Sequence, residues 1–152
     1  MKHPRILMVG GGSVNWTSRI VRDMLLSPPL DRARYVLYDT DRTAAERMVS
    51  AMEQAASQLG VRPRFEATAD PARAFDGADY VVITISTGGL RAMERDLALP
   101  EEYGIYHTVG DTSGPGGWAR AIRNFGPFRD MAEAMARGCP GAMVLNYTNP
   151  MT

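Results

Sequence analysis

Arg5-Ile6-Leu7-Met8-Val9-Gly10-Gly11-Gly12-Ser13 is the stretch on which the reading of this chain turns. Ile6 to Val9 is a short unbroken apolar run, the pattern of a strand covered on both faces of a parallel sheet. Three glycines follow. Val14, Thr17, Ile20, Val21, Met24 and Leu25 then recur at helical spacing, with Ser13 placed to cap that helix. The next apolar run, Tyr35 to Tyr38, ends on Asp39. A strand, a glycine turn, a helix and an acid after the second strand are the parts of a dinucleotide cradle. Glycine admits a pyrophosphate close to the backbone, the helix N-terminus offers unpaired N–H groups, and the acid accepts from ribose hydroxyls. The turn reads Gly10-x-Gly12-x-x-Asn15, with asparagine where a third glycine would complete the usual fingerprint. The expected cofactor-binding residues are therefore Gly10, Gly12, Ser13, Val14, Asn15 and Asp39. An acid at position 39 favours NAD over NADP, because it repels a 2′-phosphate. The alternatives are a tight strand–helix turn without a ligand and a turn-capping Asp39.

Outward from this stretch the pattern alternates. Asp41 to Leu59 reads as a helix capped by Asp41 and closed by Gly60, and Arg64 to Ala67 as a third strand. Asp70 to Phe75 is a short helical turn, and Asp79 to Ile85 is the clearest buried strand. A mixed helical stretch from about Leu90 to Tyr103 leads into a glycine-rich loop, Gly104 to Gly117, punctuated by Pro115. Trp118 to Arg137 is helical with an interruption at Gly126-Pro127, and Ala142 to Asn146 is a last apolar strand. Strands alternating with helices imply an α/β fold. Its expected form is a doubly wound, mostly parallel sheet with right-handed crossovers and helices on both faces. Residues 1–152 are expected to form one nucleotide-binding domain.

The 152 residues carry 17 basic and 17 acidic side chains, and this zero balance argues against a nucleic-acid binder. Of the basic residues only Lys2 is a lysine, which reads as a compositional habit of the source genome. No apolar run reaches the roughly 18 residues of a membrane span, and the start lacks the apolar core of a secretory signal. A single cysteine, Cys139, excludes an internal disulfide and fits a reducing compartment, so a cytoplasmic protein is expected.

Other candidate residues lie where strands end. Thr84, Ser86 and Thr87 follow the fourth strand, at the carboxyl edge where open parallel sheets bind ligands, and are expected to flank the cofactor. Asp111, within the glycine-rich loop, suits either a general acid or a turn cap. His107 is a weak acid–base or metal candidate and reads better as a hydrogen-bonded surface histidine. Asn149 follows the last strand. It can donate to and accept from a sugar or an amide, or simply form the turn before Pro150. Cys139 reads as a structural thiol. No Cys/His spacing makes a metal site.

Together these motifs resemble the amino-terminal part of glycoside hydrolase family 4, the NAD- and metal-dependent glycosidases. The resemblance runs nearly end to end. Its specific elements are Gly110-Asp111-Thr112-Ser113-Gly114-Pro115-Gly116-Gly117 and Asn146-Tyr147-Thr148-Asn149-Pro150. It implies a Rossmann-like fold and a parent enzyme that hydrolyses an α-galactoside or α-glucoside by C3 oxidation, elimination, hydration and re-reduction. It also implies that Asp111 assists leaving-group departure and that Asn149 faces the sugar. The manganese ligands and the tyrosine base are expected after Thr152, in a metal- and substrate-binding domain this chain lacks, so that the chain alone binds NAD without turnover. The implied partner is a small-molecule glycoside, with no nucleic acid and no membrane, and a homo-oligomer is compatible with the apolar surface a half-enzyme exposes. Gly110-Asp111, where phospho-α-glucosidases of the family tend to carry a glutamate and a cysteine nearby, leans toward an unphosphorylated sugar, and Arg91 and Arg95, which could meet a phosphate, make that lean slight. Two rivals remain: a lactate/malate-dehydrogenase-like oxidoreductase, and a stand-alone nucleotide-binding module.

Overall fold

Every apolar run read above as a strand becomes one. The computed structural model describes residues 3–148. Its elements are β1 (Arg5–Val9), α1 (Thr17–Leu25), β2 (Arg34–Tyr38), α2 (Arg42–Leu59), β3 (Arg64–Thr68) and α3 (Pro71–Phe75), followed by β4 (Tyr80–Ile83), α4 (Gly89–Glu101), α5 (Gly114–Gly138) and β5 (Met143–Asn146). The strands form one five-stranded sheet in the order β3-β2-β1-β4-β5, parallel at each junction. The chain winds outward from β1 to β3 and then returns to β4 on the other side of β1. This is the doubly wound, Rossmann-like arrangement, with its switch point between β1 and β4.

The chain divides into two compact units, Met1–Thr84 with Ala134–Asn146, and Ile85–Glu133 with Tyr147–Thr152. The first holds the whole sheet. Ile6, Met8, Tyr35, Leu37 and Val82 join Val21 and Leu25 of α1 and Ala45, Met48, Met52 and Ala56 of α2 in one buried core. On the opposite face Phe75 of α3 meets Tyr38, with ring centroids 6.2 Å apart. Each of these large side chains contributes about 1.5–3 kcal/mol by leaving water. α2 has the ends its sequence indicates: Asp41 accepts from the Ala44 N–H, and Gly60 closes the helix at φ 70°.

Several boundaries differ from expectation, and β4 stops at Ile83 and not at Ile85. α1 starts at Thr17 and not at Ser13; Ser13 to Trp16 form a turn in which the Ser13 hydroxyl accepts from the Trp16 N–H at 3.2 Å. That turn is held by the Gly10 carbonyl, which accepts from the Ser13 N–H at 3.0 Å and from the Thr17 hydroxyl at 3.0 Å. In the second unit the glycine-rich loop ends at Ser113, and α5 begins at Gly114. α5 also runs unbroken through Pro127. Gly126 before it has no Cβ for the proline ring to meet, which relieves one clash, while the Arg123 carbonyl still loses its N–H partner. β5 is apolar but sits at the sheet margin, with Met143 61 % and Val144 45 % exposed. Among the described residues no helix is long and apolar enough to cross a membrane.

Candidate functional site

In the first unit the carboxyl ends of β1, β2 and β4 converge on the glycine turn. The Gly10 and Gly11 N–H groups both donate to the Tyr38 carbonyl, at 3.0 and 2.8 Å, tying the turn to the end of β2. Gly10 has φ +87°, and a Cβ there would lie 2.9 Å from the Thr84 carbonyl oxygen. A Cβ on Gly12 would lie 2.7 Å from the Ala44 Cβ, well inside the roughly 3.5–4.0 Å optimum for carbon pairs. Both positions therefore require glycine.

Asp39 closes the arrangement. One carboxylate oxygen accepts from the Gly12 N–H at 2.9 Å, and the other accepts from the Asp41 N–H at 3.0 Å. Each oxygen keeps a second lone pair, so the carboxylate can still accept from hydroxyls. Among the described residues nothing accepts from the backbone N–H groups of Val14 and Asn15, and both residues are exposed. Unpaired donors ahead of a helix, beside an acceptor with spare capacity, are a donor set that fits a pyrophosphate joined to a ribose.

Thr84 is buried beside this turn; its hydroxyl donates to the Val9 carbonyl at 3.2 Å. Thr17, fully buried, is the residue that sequence reasoning passed over. Its methyl suits the apolar stripe of α1 while its hydroxyl locks the Gly10 carbonyl. A hydroxyl-bearing residue in an otherwise apolar helical stripe was the available signal. The Tyr38 phenol is pushed above its usual range, first by burial and then by the Asp39 and Asp70 carboxylates, so it stays protonated. Burial likewise raises the Cys139 thiol, consistent with a structural cysteine.

The second unit organises the remaining candidates. The Thr87 hydroxyl donates to the side-chain oxygen of Asn124, and Arg123 donates to the Thr87 carbonyl at 3.4 Å. Arg123 also pairs with Asp96, which is buried. The loop after β4 is thereby tied to α5 by groups far apart in sequence. Ser86 is exposed on that loop. Asp111 forms an ion pair with Arg120 of α5 at 3.1 Å, with both side chains mostly covered. The His107 ring lies against Gly114, and its Nε2 is buried with no partner among the described residues. Asn149 lies outside the described residues. Among the described residues no three of His, Cys, Asp and Glu converge as metal ligands.

The sequence profile described as Family 4 glycosyl hydrolase matches residues 5–152. The chain is 38% identical over 147 residues to an alpha-galacturonidase of Thermoanaerobacter italicus, a match covering 97% of this chain and 31% of that protein. It superposes on the crystal structure of the Bacillus subtilis protein lplD with TM-score 0.89 and 35% identity, over 99% of this chain and 34% of that one. It superposes on a 6-phospho-beta glucosidase of Thermotoga maritima, crystallised with manganese, NAD+ and glucose-6-phosphate, with TM-score 0.82 and 27% identity, over 97% of this chain and 35% of that one. A lactate and a malate dehydrogenase match at 21% and 15% identity, a likeness that carries the fold alone. The chain spans about a third of the length of the curated relatives it matches.

Proposed function

The chain belongs to glycosyl hydrolase family 4, and from that membership we propose that it forms the NAD-binding part of a glycosidase acting on α-glycosides. The observation that carries the reading is the Asp39 carboxylate held to the Gly12 N–H beside the unpaired Val14 and Asn15 N–H groups. In this reading Gly10, Gly12, Ser13, Val14 and Asn15 hold the pyrophosphate, Asp39 holds the adenosine ribose, and Thr84, Ser86 and Thr87 flank the cofactor. When bound, NAD supplies a reversible hydride acceptor, through which C3 oxidation acidifies the C2 proton, the C1 substituent leaves by elimination, water adds and the hydride returns.

Asp111, oriented by Arg120, is the group assigned to leaving-group departure, and Asn149 the one assigned to the sugar. The described residues do not offer a metal site, so no step through a metal is derived from them. A divalent ion like that of the Thermotoga structure would take ligands from the part of the relatives' length that this chain does not span. Identity of 38% to an alpha-galacturonidase, against 31% to an alpha-galactosidase, favours a sugar bearing a C6 carboxylate over the plain galactoside or glucoside expected from sequence.

The test is cleavage of nitrophenyl α-galacturonide and α-galactoside by the protein expressed from its whole reading frame, with and without NAD, in the presence of manganese. Cleavage that requires NAD yet accumulates no NADH is expected. NADH formed in proportion to a 2-hydroxy acid would favour the dehydrogenase instead, and NAD-independent cleavage would refute the proposal.

A further inference from the structure

We propose that the amino-terminal edge of the sheet carries a second anion site, shaped for a small polyphosphate. β1, β2 and β3 each open on an arginine: Arg5, Arg34 and Arg64. The register sets Arg5 opposite Arg34 and Arg34 opposite Arg64. Two residues before each stands another basic side chain, in His3-Pro4-Arg5, Arg32-Ala33-Arg34 and Arg62-Pro63-Arg64. Neighbouring strands lie about 4.8 Å apart, so Arg5, Arg34 and Arg64 form a row across the sheet edge, and the turn or loop residues just before them add His3, Arg32 and Arg62. His3, Arg5, Arg32, Arg34, Arg62 and Arg64 all line one cavity of about 550 Å³, completed by Asp76 and Gly77.

Like charges set directly opposite one another on adjacent strands destabilise a sheet. A chain with 17 basic and 17 acidic residues has no surplus of positive charge to force such crowding, and it has enough acids to relieve it. Elsewhere it does so: Arg42 pairs with Glu46 at 2.8 Å and Arg73 with Glu66 at 2.6 Å. Among the described residues none of Arg32, Arg34, Arg62 and Arg64 has an ion pair. Arg5 donates from one terminal nitrogen to the Arg73 carbonyl at 2.9 Å, while its Nε is buried with no acceptor. Asp76 in the lining and Asp79, whose carboxylate accepts from the Arg5 backbone N–H at 2.8 Å, set two negative charges against five arginines, so positive charge remains for a ligand to neutralise.

Guanidinium forks match phosphate oxygens two at a time, and a cavity of this size falls within the roughly 300–1,000 Å³ of small-molecule sites. A monovalent carboxylate would neutralise a fraction of the cluster; a di- or triphosphate spans it. The site opens at the amino ends of β1 to β3, whereas the glycine turn lies at their carboxyl ends, so it is separate from the dinucleotide cradle.

The test is calorimetric titration of the protein, held at saturating NAD so that the dinucleotide cradle is filled, with inorganic pyrophosphate and, separately, with ADP, at constant ionic strength because exposed charges are screened by salt. Saturable binding is expected. The doubly substituted Arg34→Gln/Arg64→Gln protein should bind at least tenfold more weakly, while melting no lower than the parent when no anion is present, since it sheds two opposed charges. Arg32→Gln/Arg62→Gln, altered only at exposed loop residues, provides a second variant. Pyrophosphate binding as tightly as ADP assigns an inorganic polyphosphate, and tighter ADP binding assigns a nucleotide. Absence of saturable binding, or unchanged affinity in both double variants, overturns the site.

Discussion

Replacing Asp39 by asparagine separates two roles that one carboxylate plays. In the native protein its two oxygens accept from the Gly12 N–H at 2.9 Å and the Asp41 N–H at 3.0 Å. Asparagine has one oxygen, so one of these N–H groups must face an amide NH2. Leaving a half-buried donor without an acceptor costs about 1–2 kcal/mol. If Asp39 also accepts from the adenosine ribose, the substitution removes a charge-assisted bond of about 1.5–3 kcal/mol, which raises the Kd for NAD roughly ten- to a hundredfold. It also removes the charge that repels a 2′-phosphate, so the preference for NAD over NADP should narrow. Urea unfolding measures the first effect, and calorimetric titration with NAD and NADP measures the second. A variant that loses stability yet binds NAD with native affinity would refute the ribose assignment and leave Asp39 as a clasp for the glycine turn.

Other perturbations follow from the same geometry. Thr17→Val keeps the shape of a fully buried side chain but strips the hydroxyl from the Gly10 carbonyl, and denaturant unfolding should report a loss of about 1–2 kcal/mol. Arg123→Met leaves buried Asp96 without its partner, and the expected destabilisation is about 3 kcal/mol; simultaneous Asp96→Leu should recover most of it, and a failure to recover would show that the pair is not what couples these positions. The phenols of Tyr35 and Tyr38 are raised above the ordinary tyrosine value of 10.0, chiefly by burial. The folded state then holds these protons more tightly than the unfolded state. This stability is complete below pH 10 and declines as the pH rises beyond it, by at most about 1.4 kcal/mol per pH unit for each group. Tyr35→Phe should flatten the alkaline limb of the stability curve, and an unchanged limb would contradict the assignment.

The parts of this fold that were legible in sequence are those whose signal is local. β1 and its glycines are contiguous, and α2 carries its own start and stop in Asp41 and Gly60. The place of Asp39 at a strand's end follows from one apolar run and its last residue. What escaped is what depends on residues brought together from a distance. Asp96 with Arg123, Thr87 with Asn124 and Asp111 with Arg120 join separate elements, and no spacing announces them. The start of α1 was misplaced because Ser13 has the chemistry of a cap, while the Gly10 carbonyl claims its N–H for a turn. Pro127 reads as a helix break because proline usually is one; the glycine before it eases one of its clashes, and the helix runs on through it. The basic tripeptides before β1, β2 and β3 were visible throughout, but only the register shows that they stand side by side.

The two margins of the sheet are unlike. β3 presents Arg64 and Glu66, charged groups of the kind that keep a bare strand from recruiting another. β5 presents Met143, Val144 and Leu145, with no charge along its length. The charge that guards the β3 border against a further strand has no counterpart at the β5 border.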